Sequence, residues 1–297
     1  MARGSLKSQF YDVLNAKRND RPYDSRHKAK LEKVDKEYIF SEKTLKNYKQ
    51  SCGKFAEWAR ATHPGKITRT MESAEQFVPE YLNYMIDKGY SAYTVAATAA
   101  AIGKAYGKSY TEYGVEMPTR SAQNVKRGRS HSTCDKRFSE EKNKDLRDLC
   151  DSTGLRRNCV EHLKGSDLYF NEQRGAYYVH VSGTYAKGGR EREVLVFNKD
   201  KETEARVVEM IKSAGDKKVF DHVHTAANIH RSRSNYAKAL YEEFARPLDE
   251  IPKKDRYECR GANKGKVFDR RAVSAITRVL GHSPAKNFYT VNHYLLA

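Results

Sequence analysis

From residue 119 to residue 137 the chain carries hardly an apolar side chain, and Arg120, Lys126, Arg127, Arg129, Lys136 and Arg137 stand there among Ser, Gly, Gln and Thr. A segment with so little apolar surface cannot join the cores on either side of it, because burial of apolar area is what holds a core together. The chain is therefore expected to fold as two bodies. Its 297 residues give each body enough length for a core of its own. The segment itself, 119–137, reads as a solvated tether or, more sharply, as a basic linker lying along a phosphate backbone.

The two flanks differ in hydrophobic period. Ser41 is a good N-cap, and Leu45, Tyr48, Cys52, Phe55 and Trp58 follow at spacings of three and four, which line one helical face. Ser73 with Gln76 forms a capping-box pattern ahead of a helix bearing Phe77, Tyr81, Tyr84 and Met85, which ends near Gly89. Ser91 opens a third helix whose small residues at 97–101 permit close packing. Residues 41–118 thus read as a helical bundle. Residues 1–40 are charged, with few apolar positions beyond Phe10, Tyr11, Val13 and Leu14, and read as an arm or weakly packed leader.

Beyond the linker, Ser139 with Glu140 and Glu141 begins a helix through Leu146 and Leu149 that Gly154 stops; Leu155, Cys159, Val160 and Leu163 then resume helical spacing. The period next falls to two. Residues 168–170, 177–181 and 194–197 alternate or run apolar between turn-forming segments at 171–175 and 186–192, which predicts a three-stranded antiparallel sheet. Helical spacing returns over 202–213, 229–244 and 270–280, and more weakly near the end. The predicted class is mainly α with a small antiparallel β-sheet: a helical N-terminal domain and a mixed α/β domain over 138–297.

Lys and Arg number 56 against 38 Asp and Glu, a formal net charge of +18. Such a field attracts polyanions and gains counterion-release free energy on a phosphate backbone, which makes nucleic acid the first partner to test. Twenty Tyr and eleven Phe argue against wholesale disorder despite a mean hydropathy of -0.86. No run of apolar residues is long enough for a membrane span or a signal peptide, so a soluble, unsecreted protein with no membrane partner is expected. The five cysteines are odd in number and lack a CxxC pair, which fits reduced thiols. His222 and His224 with Asp221 lack an ordered second set of ligands, and the carboxylates are not paired as in a two-metal nuclease. Neither a metal nor a cofactor is expected.

Five motifs follow in order: Thr153-Gly154-Leu155-Arg156, Lys187 within Ala186-Lys187-Gly188-Gly189, His230-Arg231-Ser232-Arg233, Leu280-Gly281-His282, and the late tyrosines Tyr289 and Tyr294. In this order they resemble the tyrosine recombinase family, the phage-integrase type of DNA breaking and joining enzyme. That family carries an Arg in a TGLR turn, a Lys at a hairpin tip, an HxxR box, a His often in LGH, and a C-terminal Tyr. The residue types suit the chemistry. Arg156 and Arg233 offer planar forks to the non-bridging oxygens of a phosphodiester, and neither loses its charge near neutral pH. A phenol is a poor nucleophile when neutral, and cations around the phosphate favour its phenolate.

The resemblance implies that residues 41–118 form a DNA core-binding domain and 138–297 the catalytic domain. It implies site-specific recombination of double-stranded DNA through a 3′-phosphotyrosine and a Holliday junction, with a dimer on each site and a tetrameric synapse. Lys187 would protonate the departing 5′ hydroxyl, and His230 and His282 would assist at the phosphate. It also implies neither ATP nor metal, residence on DNA in the cytoplasm or nucleoid, and accessory DNA-bending or directionality proteins. Three departures stand out. Tyr289 lies seven residues after His282 and Tyr294 twelve, and the family's usual interval falls between them; the His293-Tyr294-Leu295 ending favours Tyr294, with Tyr289 the alternative. Cys159 stands where many members have Glu. The stretch 247–266 lengthens the interval before His282 and reads as an insertion or extended loop that contacts DNA, contacts a partner, or is plain surface. A type IB topoisomerase and a noncatalytic DNA-binding protein on the same scaffold are the alternative functions.

Overall fold

A computed structural model of the chain describes residues 4–24, 26–120, 138–283 and 287–296. The chain divides into two compact units, Met1–Lys126 and Arg127–Ala297. Of the cations expected to form the linker, Arg120 is exposed, whereas Lys126, Arg127, Arg129, Lys136 and Arg137 lie outside the described residues. None of the described helices is long and apolar enough to cross a membrane.

The first unit is helical: α1 (Leu6–Asn19), α2 (Arg26–Leu31), α3 (Glu42–Thr62), α4 (Met71–Ala74), α5 (Val78–Asp87) and α6 (Ala92–Tyr106). The Ser41 side chain accepts from the Thr44 amide at the start of α3, and Ser91 accepts from Thr94 at the start of α6, satisfying amides that the helix leaves open. Cys52, Phe55, Ala56 and Ala59 of α3 pack with Val95, Ala99 and Ile102 of α6 in one core.

Within the stretch expected to be an arm or weakly packed leader, α1 is packed. Ser5 caps α1 by accepting from the Ser8 amide, and Leu6, Phe10 and Leu14 are buried in the same core. The Phe10 ring meets Phe55 edge-on at 5.8 Å and Tyr106 at 5.5 Å. Full burial of such side chains stabilises by about 1.5–3 kcal/mol each. The cap before α5 also differs from expectation: Thr70 accepts from Ser73 at the start of α4, which places Ser73 inside a helix.

The second unit contains α7 (Lys144–Thr153), α8 (Arg157–Val160), β1 (Leu168–Asn171), β2 (Ala176–Val181), β3 (Arg192–Leu195), α9 (Lys201–Ser213), α10 (Ile229–Phe244), β4 (Arg256–Glu258), β5 (Val267–Asp269), α11 (Arg270–Val279) and α12 (Asn287–Thr290), the last followed by a π-helical turn at Val291–Leu295. Helix α7 begins after a turn over 139–143, later than the Ser139 signal implies. The sheet is antiparallel in the order β1-β2-β3, with Val179 opposite Leu168 and Val194. Val179, Val181 and Val194 face inward onto a core that includes Leu149, Leu155, Val207, Ile211, Tyr236, Leu240 and Ile276. The stretch 247–266 is more ordered than a loop: β4 and β5 pair as an antiparallel hairpin, tied to the end of α10 through Arg246, which donates to both Asp255 and Asp269.

Candidate active site

Gly154 ends α7 in the left-handed conformation, φ 55°, and its amide donates to the Cys150 carbonyl. A Cβ there would lie 2.3 Å from the Tyr236 ring, so the turn is open only to glycine. This turn presents Arg156 at the N-terminus of α8. Arg156 is half-buried, and its Nη2 lies 3.4 Å from His282 Nε2. On α10, begun by Asn228 accepting from the Arg231 amide, His230 precedes Arg233 by one turn and is exposed.

Arg233 is 1% exposed, and each of its three guanidinium nitrogens donates one hydrogen bond within the cluster. Nη1 donates to the Gly154 carbonyl, Nη2 to the Leu280 carbonyl, and Nε to the Tyr294 hydroxyl at 3.2 Å. Its guanidinium carbon lies 5.4 Å from the Tyr294 ring centroid, a cation–π contact. Ser234 fixes the same residue from below by donating to the Tyr294 carbonyl at 2.6 Å. The His282 ring lies 4.9 Å from that of Tyr289 and 5.7 Å from that of Tyr294.

Arg156, Arg233, His282, Tyr294 and Tyr289 are thus brought together from four separate segments, and only Tyr294 of the two tyrosines receives a hydrogen bond from Arg233. Lys187 is exposed in the β2–β3 connection, ahead of Gly188 and Gly189 in left-handed conformation. No hydrogen bond or ion pair among the described residues ties it to the cluster. The base of that connection is anchored: Asn158 donates to the Tyr185 carbonyl at 2.6 Å, and His162 stacks on the Tyr185 ring. Among the described residues no three His, Cys, Asp or Glu side chains are grouped to hold a metal ion.

No family model matches the chain, and no curated protein does. Among solved structures it is similar to the Tn1549 transposon integrase in complex with transposon right end DNA, at 12% identity and a TM-score of 0.46 over 98% of this chain and 95% of that one. The same integrase in complex with circular intermediate DNA gives 13% identity and a TM-score of 0.43, with the same coverage. XerA recombinase gives 16% identity and a TM-score of 0.25 over 95% of this chain and 92% of that one.

Sequence reasoning missed three arginines around this cluster. Arg192 on β3 donates through Nε to the Val279 carbonyl at 3.1 Å, and Arg190 reaches the Gly281 carbonyl at 3.5 Å. Arg157 spans the loop before α10, donating to the carbonyls of Val223, His224, Thr225 and Ala227 at 2.9–3.3 Å. A signal for Arg192 was present: it pairs with Val181 and stands two residues before Val194, both buried, so the strand alternation turns it inward.

Burial lowers the proton affinity of Arg156, and the neighbouring Arg233 charge lowers it further, with Tyr294 opposing. Arg233 and Arg192 are lowered chiefly by burial too. An arginine nonetheless stays charged near neutral pH. Among the described residues no carboxylate pairs with any of the three. Such a cluster of desolvated cations beside a phenol hydroxyl is built to receive an oxyanion.

Proposed function

We propose that the chain is a site-specific DNA recombinase that cleaves and rejoins double-stranded DNA through a 3′-phosphotyrosine. The observation that carries this reading is the hydrogen bond from the buried Arg233 guanidinium to the Tyr294 hydroxyl, beside the Arg156–His282 contact. In the proposed step Arg156 and Arg233 bind the non-bridging oxygens of the scissile phosphate, with His282 and His230 donating or moving protons at the same group. The Tyr294 oxygen attacks phosphorus and gives up its phenolic proton to the His230 imidazole. The bond to the 5′ oxygen breaks, and that oxygen takes a proton from Lys187, which its exposed hairpin tip leaves free to reach DNA. The ester formed retains the energy of the one broken, so rejoining requires neither ATP nor metal.

The exchange of two strand pairs through a Holliday junction requires a dimer on each site and a tetramer across the synapse. Arg120 and the basic segment after it, Lys126, Arg127, Arg129, Lys136 and Arg137, are proposed to follow the DNA backbone. Accessory DNA-bending or directionality proteins belong to the same proposal, as does residence on DNA in the cytoplasm or nucleoid.

The test is a library of nicked duplexes randomised around the nick, incubated with the protein and resolved on denaturing gels. A covalent protein–DNA adduct insensitive to EDTA is expected from wild-type protein and from Tyr289→Phe, and none from Tyr294→Phe. Adduct from Tyr294→Phe but not from Tyr289→Phe would transfer the nucleophile to Tyr289. No adduct from wild-type protein would leave a DNA-binding protein, and relaxation of plasmids lacking paired sites would favour a type IB topoisomerase.

A further inference from the structure

Four consecutive residues at the end of α11 each engage a different arginine. The Val279 carbonyl accepts from Arg192, the Leu280 carbonyl from Arg233 and the Gly281 carbonyl from Arg190, while His282 meets Arg156. The open carbonyls of a helix C-terminus carry partial negative charge, and here they gather guanidinium groups without any carboxylate. Arg192 differs from its neighbours. Its Nη1 and Nη2 are both buried and reach no oxygen or nitrogen acceptor, leaving the Cys159 sulfur as a weak partner. A Cβ on Gly281 would come within 3.0 Å of its Cδ and Nε, so the side chain is closely packed where it stands. Its neighbours are the Cys159 side chain, with which it interacts, the Arg156 guanidinium and Tyr236, and no carboxylate is among them.

A buried cation with unmade hydrogen bonds costs stability, and a fold that keeps one gains when an anion arrives nearby. We propose that Arg192 is a positioning residue for DNA cleavage: held on the α11 terminus beside Arg156 and Arg233, it adds an uncompensated charge that strengthens the grip on the scissile phosphate and on the negative charge that develops during displacement. Its donors are buried, so it acts through Arg156 and through the field, not by touching DNA. This inference rests on the recombinase reading.

The experiment compares cleavage of the duplex selected in the adduct assay with cleavage of the same duplex bearing a neutral methylphosphonate at the scissile position. Arg192→Gln is expected to slow cleavage of the phosphodiester by about tenfold to a hundredfold and cleavage of the methylphosphonate far less, while Arg192→Lys retains most activity on both. Equal losses on the two substrates would mean a merely structural role and overturn the proposal. Should Arg192→Gln fail to fold, Cys159→Asp supplies an internal countercharge with Arg192 in place: slower cleavage of the charged substrate alone is expected, and unchanged cleavage overturns the proposal. Without wild-type adduct the recombinase reading fails by itself. A calorimetric titration with inorganic phosphate then decides the charge effect, since equal affinity in wild-type protein and Arg192→Gln overturns it.

Discussion

Arg233 brings a full charge into a place that is 1% exposed, and its cost is met by three acceptors reached at once: the Gly154 and Leu280 carbonyls and the Tyr294 hydroxyl. The same side chain therefore ties together the turn carrying Arg156, the end of α11 and the C-terminal tyrosine. Truncation to alanine leaves two buried carbonyls without donors and a void where the guanidinium stood. Arg233→Ala is expected to lose cleavage and to lower the unfolding free energy by about 2–4 kcal/mol, read from urea melts. Arg233→Lys keeps the charge, but one ammonium cannot span three acceptors in a planar fan, so most of the cleavage should still be lost. A lysine variant with wild-type cleavage would show that charge alone, not the fork, sets the geometry.

At the scale of elements, the glycine that ends α7 carries a double constraint. Gly154 has φ 55°, and its missing Cβ leaves room for the Tyr236 ring. Gly107, which ends α6 at φ 74°, has nothing within 4 Å of such a Cβ. Gly107→Ala should cost about 1 kcal/mol from backbone conformation alone, whereas Gly154→Ala adds overpacking and should cost about 2–4 kcal/mol and displace Arg156. Chemical denaturation of both variants separates the two contributions. Asp269 gives α11 its other end. It is fully buried, caps the helix by accepting from the Arg271 amide, and takes two bonds from the Arg246 guanidinium, which holds its carboxyl well below the usual range. A depressed carboxylate stabilises the fold above its unfolded pKa, about 4, and that contribution is lost as pH falls through the folded value. The stability gap between wild type and Asp269→Asn should be largest at neutral pH and close progressively below about pH 4. A gap independent of pH would mean the charge is irrelevant. What was legible in the sequence follows from range. The Gly154 stop, the Ser41 and Ser91 caps and the alternation of β1 to β3 are local signals, and each marks an element. Leu6, Phe10 and Leu14 recur once per turn, with Lys7, Ser8, Gln9 and Asp12 between them, a stripe too narrow to read as a core face until α3 and α6 close over it. The strands β4 and β5 are three residues each, too short for alternation to register. Arg192 reads as a charge after a turn, and its role is set by α11, which lies 87 residues away at Val279.

For the molecule as a whole, the surplus of eighteen positive charges divides into two populations with different work. Arg156, Arg192 and Arg233 are partly or wholly withdrawn from solvent at the cluster, where water screens them little and, on the proposed reading, they act on one phosphate. The exposed cations, Arg120 among them, meet the solvent and the ion atmosphere of a polyanion. Affinity and cleavage should therefore respond to different variables. In Tyr294→Phe, which binds without cutting, log K is expected to fall linearly with log salt at a slope of about −0.9 for every phosphate neutralised. Arg120→Ala should weaken binding across sequences and reduce that slope by about 1, with the rate of bound-state cleavage in the Tyr294 background unaltered. Arg233→Ala should do the reverse, abolishing cleavage while leaving the salt slope nearly as it was, because Arg233 meets a single phosphate whose charge Arg156 also neutralises. Fluorescence anisotropy across a salt series, paired with single-turnover adduct formation, measures both. A slope near zero would remove the electrostatic account of binding, and a slope that changed with Arg233 but not with Arg120 would place the backbone contacts at the cluster instead of on the exposed basic surface.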